Sequence, residues 1–525
     1  MSSTRALFER YGDSYRTLAT IAALVAATAV ILSATIVNVA IPDVMGTFGI
    51  DQVQAQWLST GFLAAMTATM LLGAWAEQAF GLRATFIASL LLFGAGSVLG
   101  GMAPNNGVLT LARVVQGAAA GVVQPLAMVV LFKVYPPHQR GMAMGIFGIG
   151  VVLAPALGPW VGGLLIDHFN WRYVFYLGLP FGALGVVLAA FFLPTREDEG
   201  SRPRFDWIGF VLLSLFLLLL LSALSNGQRM GWNSTAILLQ LSIATCAVVA
   251  FVVWERRTTE PMLDLSLFEQ VPFAASALVS FVIGAGLYGS TYLLPLAVQT
   301  IQGLTPTQAG LMLMPAGLVL ATIFPLSGHL SDRVPPALMI AVGLLIFAFA
   351  SYLTAEFDVN SSFAWLAWLT VLTRVGLGVM FPSLSVASLQ VLPRLLVSQG
   401  SGAVNFMRQL GGAFGVNLLA VLLERRTVFH GEALAAVQAS HNPATAAFIG
   451  EVADRMQAMS LPASERIPAA LWYLGQTLYA QARTEAFRDT FLVTAVLFLI
   501  ALAPTWLLHR ALQRGQPEMS EEGSP

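Results

Sequence analysis

The feature that most limits this chain is a set of fourteen separate runs of mostly apolar residues, each long enough to cross a bilayer as a helix. A helix rises about 1.5 Å per residue, so about 20 residues cover a hydrocarbon core of about 30 Å. The runs cover 17–42, 54–76, 84–103, 108–131, 141–166, 173–194, 207–225, 235–254, 273–301, 308–330, 337–355, 364–388, 400–424 and 487–508. Backbone groups in lipid must be bonded internally, so only helices or a closed barrel can span. The alternating ten-residue patches of a barrel are absent, and an all-α membrane bundle follows. Only 10% of residues are charged and 57% are hydrophobic, so a soluble fold could not cover the apolar surface. The run from Leu18 to Pro42 is too long for a signal-peptide core and is expected to stay as the first helix. A net charge of -1 with no basic run gives no sign of nucleic acid. The single cysteine, Cys246, excludes an internal disulfide and a Cys-based metal site. No cofactor is expected, and the bilayer lipids are the partner that composition implies.

Orientation follows from Lys and Arg, which short cytoplasmic loops retain. With the N-terminus inside, one side holds Arg5, Arg10, Arg16, Arg83, Lys133, Arg140, Arg196, Arg202, Arg204, Arg256, Arg257, Arg333, Arg394, Arg510 and Arg514, while the short outer loops hold Arg172 and Arg229. Both termini are therefore expected in the cytoplasm. The outer segment 425–486 is too long for the charge rule to apply. In it Phe448, Val452, Met456 and Met459 recur at helical spacing, which predicts an amphipathic helix. That helix is either part of a folded cap over the outer mouth or a dock for a periplasmic partner.

A weak internal repeat divides the chain. Residues 70–83 (MLLGAWAEQAFGLR) and 324–333 (FPLSGHLSDR) each close an even-numbered helix on the expected cytoplasmic side. The expected organisation is an N-terminal segment 1–16, a six-helix half 17–194, two extra helices within 207–254, a second half 273–508 that includes 425–486, and a tail 509–525. Transporters commonly have such halves, with the substrate site near the midplane between them.

Several motifs carry a family resemblance. Thr35 to Pro42 (TIVNVAIP), Gln56 to Phe62 (QWLSTGF), Leu111 to Gly117 (LARVVQG), Gly150 with Gly158-Pro159 and Gly162-Gly163, Trp171 to Phe175 (WRYVF) and Tyr292 to Leu296 (YLLPL) occur in that order. Over nearly its whole length the chain resembles the fourteen-helix drug:proton antiporter branch of the major facilitator superfamily, the EmrB/QacA type. The resemblance implies two six-helix halves with two additional central helices. It implies an inner-membrane exporter of hydrophobic drugs or toxic small molecules driven by the proton gradient. It also implies, as partners in double-membraned bacteria, a membrane-fusion adaptor and an outer-membrane channel.

The residues bear physical readings of their own. Ala154, Gly158 and Gly162 recur every four residues and leave one helix face open to close approach, while Pro155 and Pro159 remove backbone donors and bend the helix. This face serves either ordinary packing or, as the resemblance implies, an exporter hinge that includes Gly163. Arg113, Arg374 and Arg408 lie inside predicted spans, where a lone charge costs at least about 2.5–3.5 kcal/mol, so each is expected to face the bundle interior. Arg113 has Gln116 one turn on, and Arg408 has Asn405 and Gln409 beside it. In the repeated motif Gly73, Gln78 or Glu77, and Arg83 answer to Gly328, Asp332 and Arg333. There a carboxylate can hold a neighbouring helix N-terminus and its own arginine, latching one conformation. The motif resembles the family's Gly-x-Leu-Ala-Asp-Arg-x-Gly-Arg sequence, which the second copy keeps better than the first, so the resemblance implies the latch at Asp332. Pocket candidates are Asn38, Trp57, Gln124, Tyr288, Tyr292, Gln299, Phe381 and Asn405, which suit a mostly apolar site with a few polar groups.

One departure from the resembled family concerns energy coupling. Its first helix carries an aspartate where this chain has Ser33, and no other acid sits in mid-membrane. Arg113 is then expected to be held by Gln116, backbone carbonyls or water, leaving a cavity attractive to anionic or carbonyl-bearing substrates. Protonic coupling is expected through Asp43 or an ionisable substrate. No Gly-x4-Gly-Lys-[Ser/Thr] motif is present, so ATP is not the expected energy source. A dedicated exporter of one natural product, metabolite or lipid is the alternative. An intramembrane enzyme lacks a nucleophile, base and orienter set, and a receptor would not need two copies of a gating sequence.

Overall fold

The structure, a computed structural model, describes residues 3–50, 52–196, 203–438 and 442–514. The side chains of residues 3–5, 38, 52, 53, 56, 151–157, 159, 160, 229, 306, 307, 394 and 514 lie outside that description. Among the described residues every regular element is helical. In chain order they are α1 (Ser3–Tyr11), α2 (Ser14–Phe48), α3 (Gln52–Thr69), α4 (Leu72–Phe80), α5 (Leu82–Gly101), α6 (Asn106–Val134), α7 (Arg140–His168), α8 (Tyr173–Tyr176), α9 (Gly178–Phe192), α10 (Trp207–Met230), α11 (Thr235–Glu255), α12 (Val271–Ile301), α13 (Pro306–Ser331), α14 (Pro336–Thr354), α15 (Phe363–Gln390), α16 (Val397–Ala436), α17 (Pro443–Ala458), α18 (Ala463–Ile500) and α19 (Leu502–Arg514). A helix or closely spaced helix pair lies over each apolar run. Twelve are long and apolar enough to cross a membrane, and the pair 57–69 and 72–80, bent by 53°, makes thirteen among the described residues.

Two bundles form, α2–α9 and α12–α16 with α18 and α19, and α10 pairs with α11 as a hairpin that touches α3 and α16. Without a hydrophobic drive between helices in lipid, small residues decide how near two axes come. On α7 a side chain at Gly158 would lie 2.6 Å from Thr35 Oγ1 and one at Gly162 2.7 Å from Ile36 Cγ1, whereas Gly163 faces open space. The small face is thus packed against α2, and Gly163 is not part of it. α7 is one continuous helix from Arg140 to His168.

The segment 425–486 is not a separate loop but a continuation of the membrane helices. α16 runs 40 residues and α18 runs 38, and α17 packs on α18. Val452 is buried and Phe448 stacks on Tyr473 with centroids 6.2 Å apart. Of the two readings of this amphipathic helix the packing favours the folded cap, with Val452 covered by the chain itself and Met459 exposed. Where α16 and α18 pass the apolar zone, Asp489 Oδ2 accepts from Arg426 Nε at 2.5 Å and lies 2.7 Å from His430 Nε2. Sequence reading did not single out this cluster.

Candidate functional site

The two halves touch most closely at the end of the bundle that carries Arg83, Lys133, Arg140 and Arg333, here called the basic end. Gly141 and Gly328 lie back to back, and a Cβ on either would collide with the other's carbonyl oxygen. This contact lets Asp332 reach the start of α7, where the Gly141 N–H donates to its Oδ1 at 2.6 Å and the Met142 N–H to its Oδ2 at 3.0 Å. A carboxylate on the unpaired N–H groups of a helix start gains both charge-assisted bonds and the helix dipole. The expected helix-holding carboxylate is therefore present, but Arg333 is exposed and forms no ion pair with it among the described residues.

The first copy of the motif makes a related contact. Glu77, rather than the exposed Gln78, faces the partner half: the Ser398 hydroxyl at the start of α16 donates to its Oε2, and Lys133 Nζ donates to its Oε1 at 2.6 Å. Gly73 is buried beside Val122, and Arg83 turns away to donate from Nε to Leu193 O at 2.6 Å. Arg83 thus ties the start of α5 to the end of α9 and takes no part in the latch. The role of Ser398 was missed because nothing local in the sequence marks a serine as the partner of an acid 321 residues away.

Above this closed end stand the buried cations. Arg113 is fully buried; its Nη1 donates to Gln116 Oε1 at 2.9 Å, Ser33 O at 3.1 Å and Ser33 Oγ at 3.3 Å, its Nε to Leu58 O at 3.1 Å, and its guanidinium lies 4.1 Å from the Phe62 ring centre. Hydrogen bonds to a charged group contribute about 1.5–3 kcal/mol each, so this shell outweighs an insertion cost of about 2.5–3.5 kcal/mol. The Arg113 Nη2 is buried without a hydrogen-bond partner among the described residues. Asp43 is exposed on α2 ten residues beyond Ser33, about 15 Å along the axis, and does not meet Arg113.

Arg374 repeats the arrangement in the other half. It donates from Nη2 to Thr291 Oγ1 at 2.7 Å and from Nη1 to Ser290 Oγ at 3.5 Å on α12, as Arg113 does to Ser33 on α2. Ser290, Ser351, Thr370 and Thr494, with Leu293, Leu369 and Phe491, line a small, mainly apolar cavity of about 20 Å³ beside it.

The two-half architecture agrees with the comparisons. The sequence pattern described as Major Facilitator Superfamily matches residues 23–416. The chain belongs to that superfamily. It is 30% identical over 491 residues to the multidrug export protein EmrB of Haemophilus influenzae, covering 93% of this chain and 95% of that protein. It is 28% identical over 487 residues to the fatty acid resistance protein FarB of Neisseria gonorrhoeae, covering 92% and 94%. Its fold is similar to that of the human organic anion transporter MFSD10, with a TM-score of 0.59 at 15% identity over 94% of this chain and 98% of that one.

In this superfamily member some of the remaining pocket candidates come together and others do not. Arg408 gathers the first set: it donates to Asn405 Oδ1, and its guanidinium lies 4.9 Å from the Phe381 ring centre. Tyr288 donates to Gln409 Oε1 at 3.1 Å on the next residue of α16. The group borders the partner half, since Asn405 Nδ2 lies 3.6 Å from Met128 Sδ and Ser401 Oγ donates to Pro125 O at 3.0 Å. Tyr292 is exposed one turn from Tyr288, Gln124 is buried with its Oε1 unbonded, and Trp57 is half-buried on α3. Gln299 stands apart, because its amide donates to Pro295 O in its own helix. Asn38 lies outside the described side chains.

Proposed function

We propose that the protein is an efflux transporter with fourteen spans, α7 being the fourteenth, in which 17–194 and 273–508 rock about a central site and 207–254 forms an added hairpin. The basic end is cytoplasmic, both termini lie there, and the conformation seen is closed to the cytoplasm. The observation that carries this reading is the cation at the junction: Arg408, with Asn405, Phe381, Tyr288 and Gln409, sits about two turns along α16 from Ser401, whose hydroxyl donates to Pro125 O of the other half. A guanidinium flanked by aromatic rings and amides, with no carboxylate paired to it among the described residues, favours an amphipathic molecule bearing an acidic or carbonyl group. The multidrug and fatty acid resistance relatives support export of hydrophobic compounds of that kind from a bacterial inner membrane.

Coupling is protonic and runs through the substrate. Among the described residues none beside Arg113 or Arg408 can carry a proton in the usual carboxylate range, so an acidic substrate that gives up its proton to the cytoplasm on binding as the anion, and takes one up outside after release, moves one proton equivalent inward for each molecule exported. The relationship to EmrB also supports a periplasmic adaptor and an outer-membrane channel as partners. Docking would fall on the exposed residues Leu471, Trp472 and Tyr479 of α18 rather than on the packed face of α17.

Efflux from proteoliposomes with an imposed proton gradient tests the reading. An amphipathic carboxylic acid should be transported, its methyl ester should not, and Arg408→Ala should lose transport of the acid while inserting normally. Equal transport of acid and ester by both proteins would overturn it. Orientation is checked by membrane-impermeant thiol labelling: a cysteine at position 450 should react from outside intact spheroplasts and one at 257 should not.

A further inference from the structure

The added hairpin carries a feature unrelated to the central cavity. At its basic end Asp206, the residue before α10, and Glu255, the last of α11, are both more than nine-tenths buried. Each carboxyl has one oxygen supplied with donors. Asp206 Oδ1 accepts from Gly209 N at 2.9 Å and from Trp254 Nε1 at 2.8 Å, and Glu255 Oε2 accepts from Leu263 N at 3.4 Å. The other two oxygens, Asp206 Oδ2 and Glu255 Oε1, have no donor. They face one another over Gly209, where a Cβ would collide with the first and lie 2.6 Å from the second, and the two side chains are within hydrogen-bond reach.

Two bare carboxylates cannot share a buried site, since both are acceptors and their charges repel where water cannot screen them. One proton removes both costs by turning the contact into an O–H···O⁻ hydrogen bond, among the strongest available to side chains. A small cation would be the other solution. Among the described residues the surroundings supply no protein cation: Arg204, Arg256 and Arg257 are exposed, as is Glu260, which accepts from the Arg204 N–H, while Asp264 Oδ1 accepts from Ser266 N. From α4 the facing residue is Trp75, whose Nε1 donates to Pro203 O at 3.1 Å, and Glu77 beyond it is engaged by Lys133.

We infer that Asp206 and Glu255 form a proton-binding site that clamps the basic end of the α10–α11 hairpin. Because α10 touches α3 of one half and α16 of the other, occupancy of this site governs how firmly the hairpin bridges the two. Loss of the proton at alkaline pH sets the two helix ends in repulsion and loosens that bridge.

The test uses the purified full-length protein in detergent. The folded pair holds a proton that the separated carboxyls of the unfolded chain release, so wild-type melting temperature should fall as pH rises from mildly acid to mildly alkaline. Glu255→Gln keeps an uncharged N–H donor facing Asp206, so its melting temperature should lose this dependence and exceed the wild-type value at the alkaline end. Infrared difference spectra should contain a protonated-carboxyl band at neutral pH that vanishes in Glu255→Gln and, independently, in Asp206→Asn. A wild-type protein lacking that band, or one whose stability follows sodium concentration at fixed pH, would overturn the inference. So would identical pH dependence in wild type and Glu255→Gln.

Discussion

Replacing Asp332 by alanine removes the carboxylate that accepts the Gly141 and Met142 N–H groups at 2.6 and 3.0 Å. Each charge-assisted bond contributes about 1.5–3 kcal/mol when buried on both sides, and the helix dipole adds about 0.3–1 kcal/mol. When the halves part, water restores bonds to both partners, so only the difference counts. About 2–3 kcal/mol is a reasonable size for a half-exposed site, and at about 1.4 kcal/mol per tenfold it moves the equilibrium between closed and open basic ends by about 30- to 150-fold. Spin labels on cysteines at Pro104 and Val359, exposed at the opposite end of each half, would report the change once Cys246 is replaced. Pulsed dipolar spectroscopy should find the longer distance dominant in the parent protein and the shorter one dominant in Asp332→Ala. Asp332→Glu should fall between them, and Arg333→Ala should stay near the parent because Arg333 makes no contact with the carboxylate. If Asp332→Ala left the distribution unchanged while Arg333→Ala shifted it, the helix-holding role given to Asp332 would be wrong.

Two further outcomes follow from side-chain contacts. Ser33→Ala removes one hydroxyl from a shell of several bonds around Arg113, so transport should fall by no more than about tenfold, about 0.5–1.5 kcal/mol; Arg113→Ala should abolish it in the same vesicle assay, with insertion preserved. Val452→Ser exposes a packed face of α17 at a cost of about 1.5–3 kcal/mol, so limited proteolysis between 439 and 462 should quicken while uptake of substrate by inverted vesicles is retained.

Much of this protein was legible in its residues taken in order. Apolar run length located the helices, since a bilayer leaves the backbone no other economical form, and the cost of a lone charge in lipid marked Arg113, Arg374 and Arg408 as interior. The structure buries all three. The repeated motif pointed to Asp332 through its resemblance to the family's cytoplasmic sequence, in which a carboxylate can hold a neighbouring helix N-terminus. What stayed hidden were pairings across long separations: Glu77 with Ser398, Arg374 with Ser290 and Thr291, and Asp206 with Glu255. Each depends on which helices are neighbours, and hydropathy is silent on that, for lipid and protein are equally apolar surroundings. The inward turn of the α17 face was undecided for the same reason, since an amphipathic pattern states that one face is covered and not by what. Only the packing of α17 on α18 showed that the cover is the chain itself.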